Sequence, residues 1–452
     1  MGASTLMTSP KKLFGTDGVR GVAGELLNAE LTLALGRAVT LEAKAQRPQV
    51  LIVRDTRESG PMLEAALAAG IAQAGGDALI AGVLPTPAAS ILVRRLGLDL
   101  AAVISASHNP WRDNGIKFFG ADGSKLDDPA EARIEAAVVA GIAAPGSTPS
   151  EVTVGRVREL EGGLDDYLRE LSTKFELDLS GRRVVLDCAN GATYRAGPAI
   201  FARLGAEVDS IGVDPDGRNI NAGCGSTQPQ SLARRVVESG AAIGFAFDGD
   251  GDRVVAVDSA GEVRDGDELI ALAARHLDAA GQLGGGVAVT VMSNYGFHEA
   301  MGEAGIEVAT TAVGDRSVSA ELERRRWSLG GEQSGHLIWK EFASTGDGIA
   351  AALLCLAALG DTDLAAAKPI ERLPQVLVNV VVADREAIAA AGGLWSEVER
   401  EHAELEGRGR VLVRASGTEP LVRVMVEAPS TDEAEAVCSR LVAVVERELG
   451  SG

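Results

Sequence analysis

The stretch QVLIVRDTRESGPMLEAALAAGIAQAGGDALIAGV, residues 49–83, decides the fold class, because a strand, a helix and a second strand follow one another within it. Its two ends are apolar runs of strand length, and the alanine-rich middle closes on two glycines that suit a helix C-terminus. A strand, a helix and a strand in this order are typical of a parallel sheet. The layout continues with AAVISAS at residues 101–107. The sequence therefore predicts an α/β protein built on mainly parallel sheets.

The chain of 452 residues is long enough for roughly three or four domains. A polar stretch with glycine, proline and serine at residues 143–152 precedes a new helix and strand, which places the first boundary near Leu160. Towards the end, alternating strands give way to a helix that Ser430 opens, with Glu433 completing a capping box. We therefore expect a smaller α+β domain at the C-terminus. The predicted domains span residues 1–160, 161–260, 261–370 and 371–452.

Composition narrows the class of partner. Lysine and arginine number 43 against 64 acidic residues, a net charge of -21, which repels phosphate backbones and anionic lipids. The four cysteines show no CxxC pairing, and no apolar run approaches the ~18 residues needed to cross a bilayer. We expect a cytoplasmic monomer or homodimer that binds a small molecule and neither nucleic acid nor membrane. An anionic ligand then needs a local basic pocket.

The run FDGDGDRVVAVD at residues 247–258 carries the most specific local signal. Asp248, Asp250 and Asp252 alternate with glycines directly after an apolar strand. The glycines let the backbone fold so that three carboxylates face one hard cation, which predicts a Mg²⁺ site. An EF-hand does not fit, because Arg253 stands where its glycine would be and a strand follows. A polar turn at a strand end is the alternative, but such a turn does not need three carboxylates.

Four further stretches contain donors for an anionic or hydroxylated ligand. In RASGTEP and the strand after it, backbone N–H groups, hydroxyls and guanidiniums could hold a phosphate. In GGEQSGH the polar side chains could hydrogen-bond sugar hydroxyls, although this short pattern is equally typical of an ordinary loop. Arginines in GTDGVRG and in VRDTRESG could approach a ligand or be solvated turn residues. The residues concerned are Arg414, Ser416, Gly417, Thr418, Arg423, Glu332, Ser334, His336, Arg20, Arg54 and Arg57.

Ser107 and His108 in VISASHNPWRDNGIKFF stand side by side, which raises the possibility of a nucleophile and its base. A triad needs the histidine to reach the hydroxyl and a third group to orient the ring. The chain has no GxSxG elbow here, and adjacent side chains tend to diverge. A Ser-His-Asp hydrolase is therefore disfavoured.

Four of these motifs, in this order, resemble those of the α-D-phosphohexomutases: ISASHNPWRDNGIKFF, FDGDGDR, GEQSGH and RASGTEP. The resemblance runs from FGTDGVRG to the last helix. It implies three similar α/β domains with mixed, mainly parallel sheets and a smaller C-terminal α+β domain around a central active-site cleft. Within the family the chain is most similar to the members that act on glucosamine phosphates.

The resemblance also implies roles for individual residues. Ser107 is expected to carry a phosphoryl group and to bind Mg²⁺ together with Asp248, Asp250 and Asp252. The residues expected near the phosphoryl group being transferred are Arg20, Lys117 and His336. His108 is expected to shape the loop that carries Ser107. The residues expected to bind the substrate are Arg253, Glu332, Ser334, Arg414, Ser416, Gly417, Thr418 and Arg423.

The implied reaction interconverts glucosamine 6-phosphate and glucosamine 1-phosphate, with glucosamine 1,6-bisphosphate as intermediate and primer. Phosphoryl transfer depends on alignment and charge neutralisation more than on a strong nucleophile, which suits this set of residues. Lys117 could act as acid and base if the cleft lowers its pKa, with His336 as the other candidate. The alternatives are a phosphoglucomutase or phosphomannomutase and, more distantly, a sugar-phosphate sensor without catalysis.

Overall fold

The computed structural model describes residues 13–15, 17–143, 154–416 and 420–450, which form four sheets with flanking helices. The chain packs as two units. One comprises Met1–Val291 and Glu307–Lys368, and the other comprises Met292–Ile306 and Pro369–Gly452.

The first sheet has the order β1-β5-β4-β2-β3-β6, with a parallel centre and antiparallel pairs at β5. Its strands are β1 Val19–Val22, β2 Gln49–Arg54, β3 Asp77–Val83, β4 Leu100–Ile104, β5 Asp113–Gly120 and β6 Val157–Glu159. Its helices are α1 Ala29–Glu42, α2 Gly60–Gln73, α3 Thr86–Arg95 and α4 Asp128–Ala143.

Burial on both faces explains why β2 reads as an unbroken apolar run. Successive side chains of a strand point to opposite faces. Val50 and Ile52 join the core with α1, α2 and α4, whereas Leu51 and Val53 are equally buried on the other face. A strand covered on both sides needs no polar alternation.

The second and third sheets repeat this plan. The second has the order β11-β10-β9-β7-β8 and the third β13-β12-β14-β15, each with parallel strands in its middle and an antiparallel edge. Their strands are β7 Arg183–Asp187, β8 Glu207–Ile211, β9 Ile243–Phe247, β10 Val254–Asp258, β11 Val263–Arg264, β12 Gly286–Thr290, β13 Glu307–Thr311, β14 Leu329–Gly331 and β15 Leu337–Trp339. The helices that accompany them are α5 Gly163–Lys174, α6 Ala196–Arg203, α7 Gln230–Ser239, α8 Gly266–Ala279, α10 Asp315–Arg325, α11 Gly348–Leu359 and α12 Leu364–Ala367.

The second unit contains an antiparallel sheet of order β16-β18-β17. Its elements are α9 Tyr295–Glu303, β16 Gln375–Val381, a 3₁₀ helix Arg385–Ala390, α13 Gly392–Glu404, β17 Arg410–Ala415, β18 Leu421–Glu427 and α14 Thr431–Leu449. Ser430 opens α14 as predicted, since its hydroxyl accepts a hydrogen bond from the Glu433 N–H at 3.2 Å. The apolar face of α14, including Val437 and Leu441, is buried against the sheet.

The predicted fold class is confirmed: three mixed α/β sheets are followed by a smaller α+β unit. The exact boundaries at residues 160, 260 and 370 stay a prediction. Among the helices of the described chain, none combines the length and the apolar character that crossing a membrane requires.

Candidate active site

The candidate residues follow the carboxyl ends of strands in the first and second sheets. Ser107 lies three residues beyond β4, and Arg57 three residues beyond β2, with which β4 pairs in parallel. Asp248 comes directly after β9. In α/β sheets the carboxyl ends of parallel strands form the common ligand-binding edge. The two loops meet because Gly249 lacks a side chain: a Cβ there would lie 2.5 Å from the Ser107 carbonyl oxygen.

Ser107 is held in an unusual backbone conformation. Its φ is +53°, in the left-handed region that disfavours residues with a side chain, and the residue is buried. The Ser107 Oγ donates a hydrogen bond to Asp248 Oδ2 at 2.5 Å. The serine hydroxyl therefore reaches the carboxylate cluster directly.

The expectation that Ser107 and His108 diverge is wrong, since Ser107 Oγ and His108 Nδ1 are 3.2 Å apart. The left-handed serine turns the two side chains to the same side. The same nitrogen, His108 Nδ1, lies 3.4 Å from Arg253 Nη1. Burial and the Arg253 guanidinium both lower the pKa of His108. A guanidinium cannot act as the orienting carboxylate of a triad, so a hydrolase stays disfavoured.

The three aspartates form a buried cluster. Asp248, Asp250 and Asp252 each offer an oxygen within 4.8 Å of the others, and all three are at most 4% exposed. The Thr86 hydroxyl donates to Asp250 Oδ2 at 2.7 Å. Burial and the two neighbouring carboxylates raise the pKa of Asp248. The buried Oδ1 atoms of Asp250 and Asp252 have no hydrogen-bond partner within the described chain, which fits a set of cation ligands.

Lys117 is buried among carboxylates that shift its pKa. Its Nζ lies 2.8 Å from Asp250 Oδ2, 3.4 Å from Asp252 Oδ2 and 3.7 Å from Asp17 Oδ2. Burial alone would lower the pKa of Lys117, but the carboxylates outweigh it and the pKa is raised. The lowered pKa on which an acid and base role of Lys117 was made conditional is therefore not found in this arrangement.

His336 is buried beside the same cluster. Its Nε2 accepts a hydrogen bond from the Gly346 N–H at 3.1 Å, and its Nδ1 lies 3.6 Å from Asp252 Oδ1. Burial lowers the pKa of His336, whereas Asp252 and Asp315 raise it, and the net direction is upward. The imidazole thus links the metal-binding loop to the GEQSGH loop.

A cavity of about 530 Å³ opens over these groups. Of the predicted residues, its lining includes Arg20, Ser107, His108, Asp252, Arg253, Glu332 and His336. Glu332 Oε1 accepts from the Gly314 N–H at 3.0 Å, which directs the carboxylate. Ser334 is exposed and is not part of the lining.

The predicted phosphate cradle lies in the second unit. Arg414 and Arg423 are direct partners on the antiparallel strands β17 and β18. Burial and the Arg423 charge lower the pKa of Arg414. Like charges placed directly opposite are unfavourable and favour an anion between them. Ser416 is buried at the end of β17, whereas Gly417 and Thr418 lie outside the described residues.

Several residues of the site escaped the sequence analysis. Asp17 forms ion pairs with Arg20 and Lys125, and Lys125 also pairs with Asp315. The motif GTDGVRG contains Asp17 and could have drawn attention to it. Asp315 lies in VGDR, residues 313–316, which is also part of the resemblance, whereas Lys125 stands in ordinary surface-like sequence; only the fold brings the two together. Arg57 carried an ambiguous signal and is fully buried.

Profiles of one family match almost the whole chain. They describe phosphoglucomutase/phosphomannomutase α/β/α domain I at residues 11–143, domain II at 165–261, domain III at 265–377 and the C-terminal domain at 377–444.

Curated relatives share this length. The phosphoglucosamine mutase of Moorella thermoacetica is 51% identical over 441 residues, covering 95% of this chain and 98% of that protein. The phosphoglucosamine mutase of Mycolicibacterium smegmatis is 47% identical over 446 residues, covering 95% of this chain and 98% of that protein.

Solved structures agree on the fold. A phosphoglucomutase/phosphomannomutase family protein from Burkholderia thailandensis has a TM-score of 0.82 at 24% identity, with 97% of each chain covered. The Aspergillus fumigatus N-acetylphosphoglucosamine mutase, solved with GlcNAc-6P and magnesium, has a TM-score of 0.69 at 20% identity, covering 97% of this chain and 96% of that one.

Proposed function

The chain belongs to the phosphoglucomutase/phosphomannomutase family, and on that premise we propose that it interconverts glucosamine 6-phosphate and glucosamine 1-phosphate. It is an isomerase whose curated relatives are phosphoglucosamine mutases. The product serves amino-sugar nucleotide and cell-wall precursor synthesis in the cytoplasm. The contact between Ser107 Oγ and Asp248 Oδ2 is the single observation that carries the mechanism, because it joins the phosphoryl carrier to the cation ligands.

The residues present fit a divalent cation. Three buried carboxylates repel one another, and two of their oxygens have no hydrogen-bond partner within the described chain. Asp248, Asp250 and Asp252, with the phosphate on Ser107, would hold Mg²⁺. When bound, the cation neutralises charge on the phosphoryl group being transferred.

The protein's own groups then align and neutralise the reaction. Phosphoserine 107 gives its phosphoryl group to the 1-hydroxyl of glucosamine 6-phosphate, so the P–O bond to Ser107 breaks and a P–O bond to the sugar forms. The bisphosphate reorients, and its 6-phosphate returns to Ser107. The 1-hydroxyl loses a proton to a general base and the serine oxygen gains one from a general acid; Lys117, paired with Asp250, and His336 are the two proposed groups for these roles. His336 orients Asp252, and His108 shapes the loop.

Each unit by itself contains residues proposed to bind the substrate. Arg20 and Arg253 supply positive charge in the cavity, and Glu332 supplies an acceptor for sugar hydroxyls, with Ser334 beside it in the same loop. The substrate's own phosphate is proposed to bind Arg414 and Arg423. The remaining members of that cradle are Ser416, Gly417 and Thr418.

A substrate panel tests the function. Purified protein primed with a trace of hexose 1,6-bisphosphate is assayed with glucosamine, glucose and mannose 6-phosphates. We expect the highest kcat/KM on glucosamine 6-phosphate. Preference for glucose or mannose 6-phosphate would instead establish a phosphoglucomutase or phosphomannomutase, and binding without turnover would establish a sensor.

Ser107→Ala tests the carrier. Removing the hydroxyl leaves no atom to accept the phosphoryl group, so we expect loss of turnover and of the phosphate mass on the intact protein. Ser172→Ala is the comparison for phosphate mass, because its hydroxyl donates to the Arg169 carbonyl within α5 and contacts neither Ser107 nor Asp248. Retention of either property in Ser107→Ala would contradict the carrier role.

A further inference from the structure

In the serine loop, residues 107–113, which ends at the first residue of β5, one buried side chain donates to four backbone carbonyls. Arg57 Nη2 donates to the carbonyls of Ser107 and Asn109, at 2.9 Å each. Arg57 Nη1 donates to the carbonyls of Pro110 and Asp113. Buried carbonyls without partners are costly, so these bonds determine the path of the loop.

The guanidinium is itself fixed in place. Arg57 Nε donates to Asp55 Oδ2 at 2.8 Å, and both side chains are fully buried. Asp55 also accepts from the Ser105 hydroxyl, whose oxygen accepts from the Ser107 N–H at 3.0 Å. The network therefore reaches Ser107 at its amide as well as its carbonyl.

A second donor arrives from a different α/β domain. Asn221 Nδ2 donates to the Ser107 carbonyl at 2.9 Å and to the Asn109 carbonyl at 3.3 Å. These are the same two oxygens that Arg57 Nη2 binds. Asn221 is itself buried with φ +58°, and its N–H donates to the Ala189 carbonyl at 2.9 Å.

We propose that Arg57 and Asn221 form a positioning clamp that holds Ser107 in its left-handed conformation and so aims its oxygen at the metal-binding aspartates. A residue keeps an unfavourable φ only where the contacts around it hold it there. Here Arg57 and Asn221 both donate to the carbonyl of Ser107 itself. Both are positioning residues, since they contact the loop and not the reacting oxygen. The catalytic part of this inference rests on the proposed function.

Arg57→Lys and Asn221→Ala test the clamp. Lysine keeps the charge but not the planar fork that reaches several acceptors at once. We expect kcat on glucosamine 6-phosphate to fall by about 10- to 100-fold, with KM changed by less than about threefold, because a displacement near 1 Å costs that much in rate. The double variant is expected to lose less than the product of the single losses, since both donors act on the same oxygens.

Matched controls separate positioning from general damage. Arg54→Lys alters the arginine three residues earlier, which pairs with Glu64 and not with the serine loop. Asn219→Ala alters the loop that carries Asn221, where its described side-chain bonds stay within residues 214–219. Both controls are expected to keep kcat. Clamp variants with control-like kcat, multiplicative losses in the double variant, or a raised KM at unchanged kcat would overturn the proposal.

Hydrogen–deuterium exchange of the peptide 103–119 gives a readout that needs no turnover. We expect faster exchange there in Arg57→Lys and Asn221→Ala than in the controls. Unchanged exchange would overturn the clamp even in an active enzyme. A wild-type protein without mutase activity would instead refute the proposed function and leave the exchange test of the clamp intact.

Discussion

Ser107 and Gly249 show how single residues set the active-site geometry. The serine is strained by its positive φ. The glycine is required because neighbouring atoms leave no room for a Cβ, and not because of its own backbone angles. A Cβ on Gly249 would lie 2.5 Å from the Ser107 carbonyl oxygen and 2.8 Å from Asn221 Nδ2. Real Cβ atoms do not approach backbone oxygens so closely, so the two loops would have to separate.

Gly249→Ala is therefore expected to reduce kcat and to lower the free energy of unfolding by about 1–3 kcal/mol through overpacking. Activity assays and urea unfolding measure the two effects. Gly141→Ala, in α4 with open space at its Cβ, is the control and is expected to keep activity and to gain up to about 1 kcal/mol. Equal behaviour of the two variants would contradict the close approach.

At the scale of elements, one buried contact joins α5 to α11. The Tyr167 hydroxyl donates to both carboxylate oxygens of Asp347, at 3.0 Å each. Asp347 also caps α11 by accepting from the Ala350 N–H at 2.9 Å. Burial raises the pKa of Asp347 to about 7 from the ordinary 3.8. The cap is thus a group whose protonation differs between the folded and unfolded chain near neutral pH.

This contact predicts a pH dependence of stability. Between about pH 4 and pH 7 the folded state holds a proton on Asp347 that the unfolded state has lost, so this contribution to the free energy of unfolding falls as pH rises through that window. The slope is at most about 1.4 kcal/mol per pH unit. Urea unfolding of wild type and Asp347→Asn measures it, with the wild type gaining relative stability towards pH 4.

Asp361→Asn is the matched control, because that carboxylate lies fully exposed just beyond the same helix. Its unfolding curves should run parallel to those of the wild type. Parallel curves for Asp347→Asn as well would show that the buried carboxyl does not titrate in this window.

The charge distribution of the whole molecule suits an anionic substrate. A chain of net charge -21 repels anions in general, yet Arg20, Lys125 and Arg253 line the cavity. The three buried carboxylates repel one another, so a cation bound among them removes this repulsion and stabilises the folded state. Only the folded chain buries this cluster.

Magnesium is therefore expected to raise the unfolding midpoint, because a ligand that binds only the folded state stabilises it by about 2.7 kcal/mol at 100 times its Kd. Differential scanning calorimetry with and without Mg²⁺ measures the shift. In Asp250→Asn the shift should be much smaller, and higher Mg²⁺ should be needed for activity. An equal shift in that variant would argue against the site.

Sequence reasoning predicted the fold class because hydrophobic periodicity and glycine placement are local properties. It also reached Asp248, Asp250 and Asp252, because residues two apart on one loop are neighbours whatever the fold. It could not decide the direction of the pKa shift of Lys117, since the carboxylates that raise this pKa come from other loops. The contact between Ser107 and His108 depended on a left-handed backbone angle that sequence spacing does not reveal.

The sequence by itself determined the α/β plan, the carboxylate cluster and the family motifs, because short-range pattern and side-chain chemistry suffice for these. Only the tertiary structure distinguished Arg57 from Arg54, two arginines three residues apart in VRDTRESG. Arg57 is buried under four carbonyls of the serine loop, whereas Arg54 pairs with Glu64 on α2. The physical reason is that a guanidinium acquires its role from acceptors ~50 residues away, which chain folding alone brings within hydrogen-bond distance.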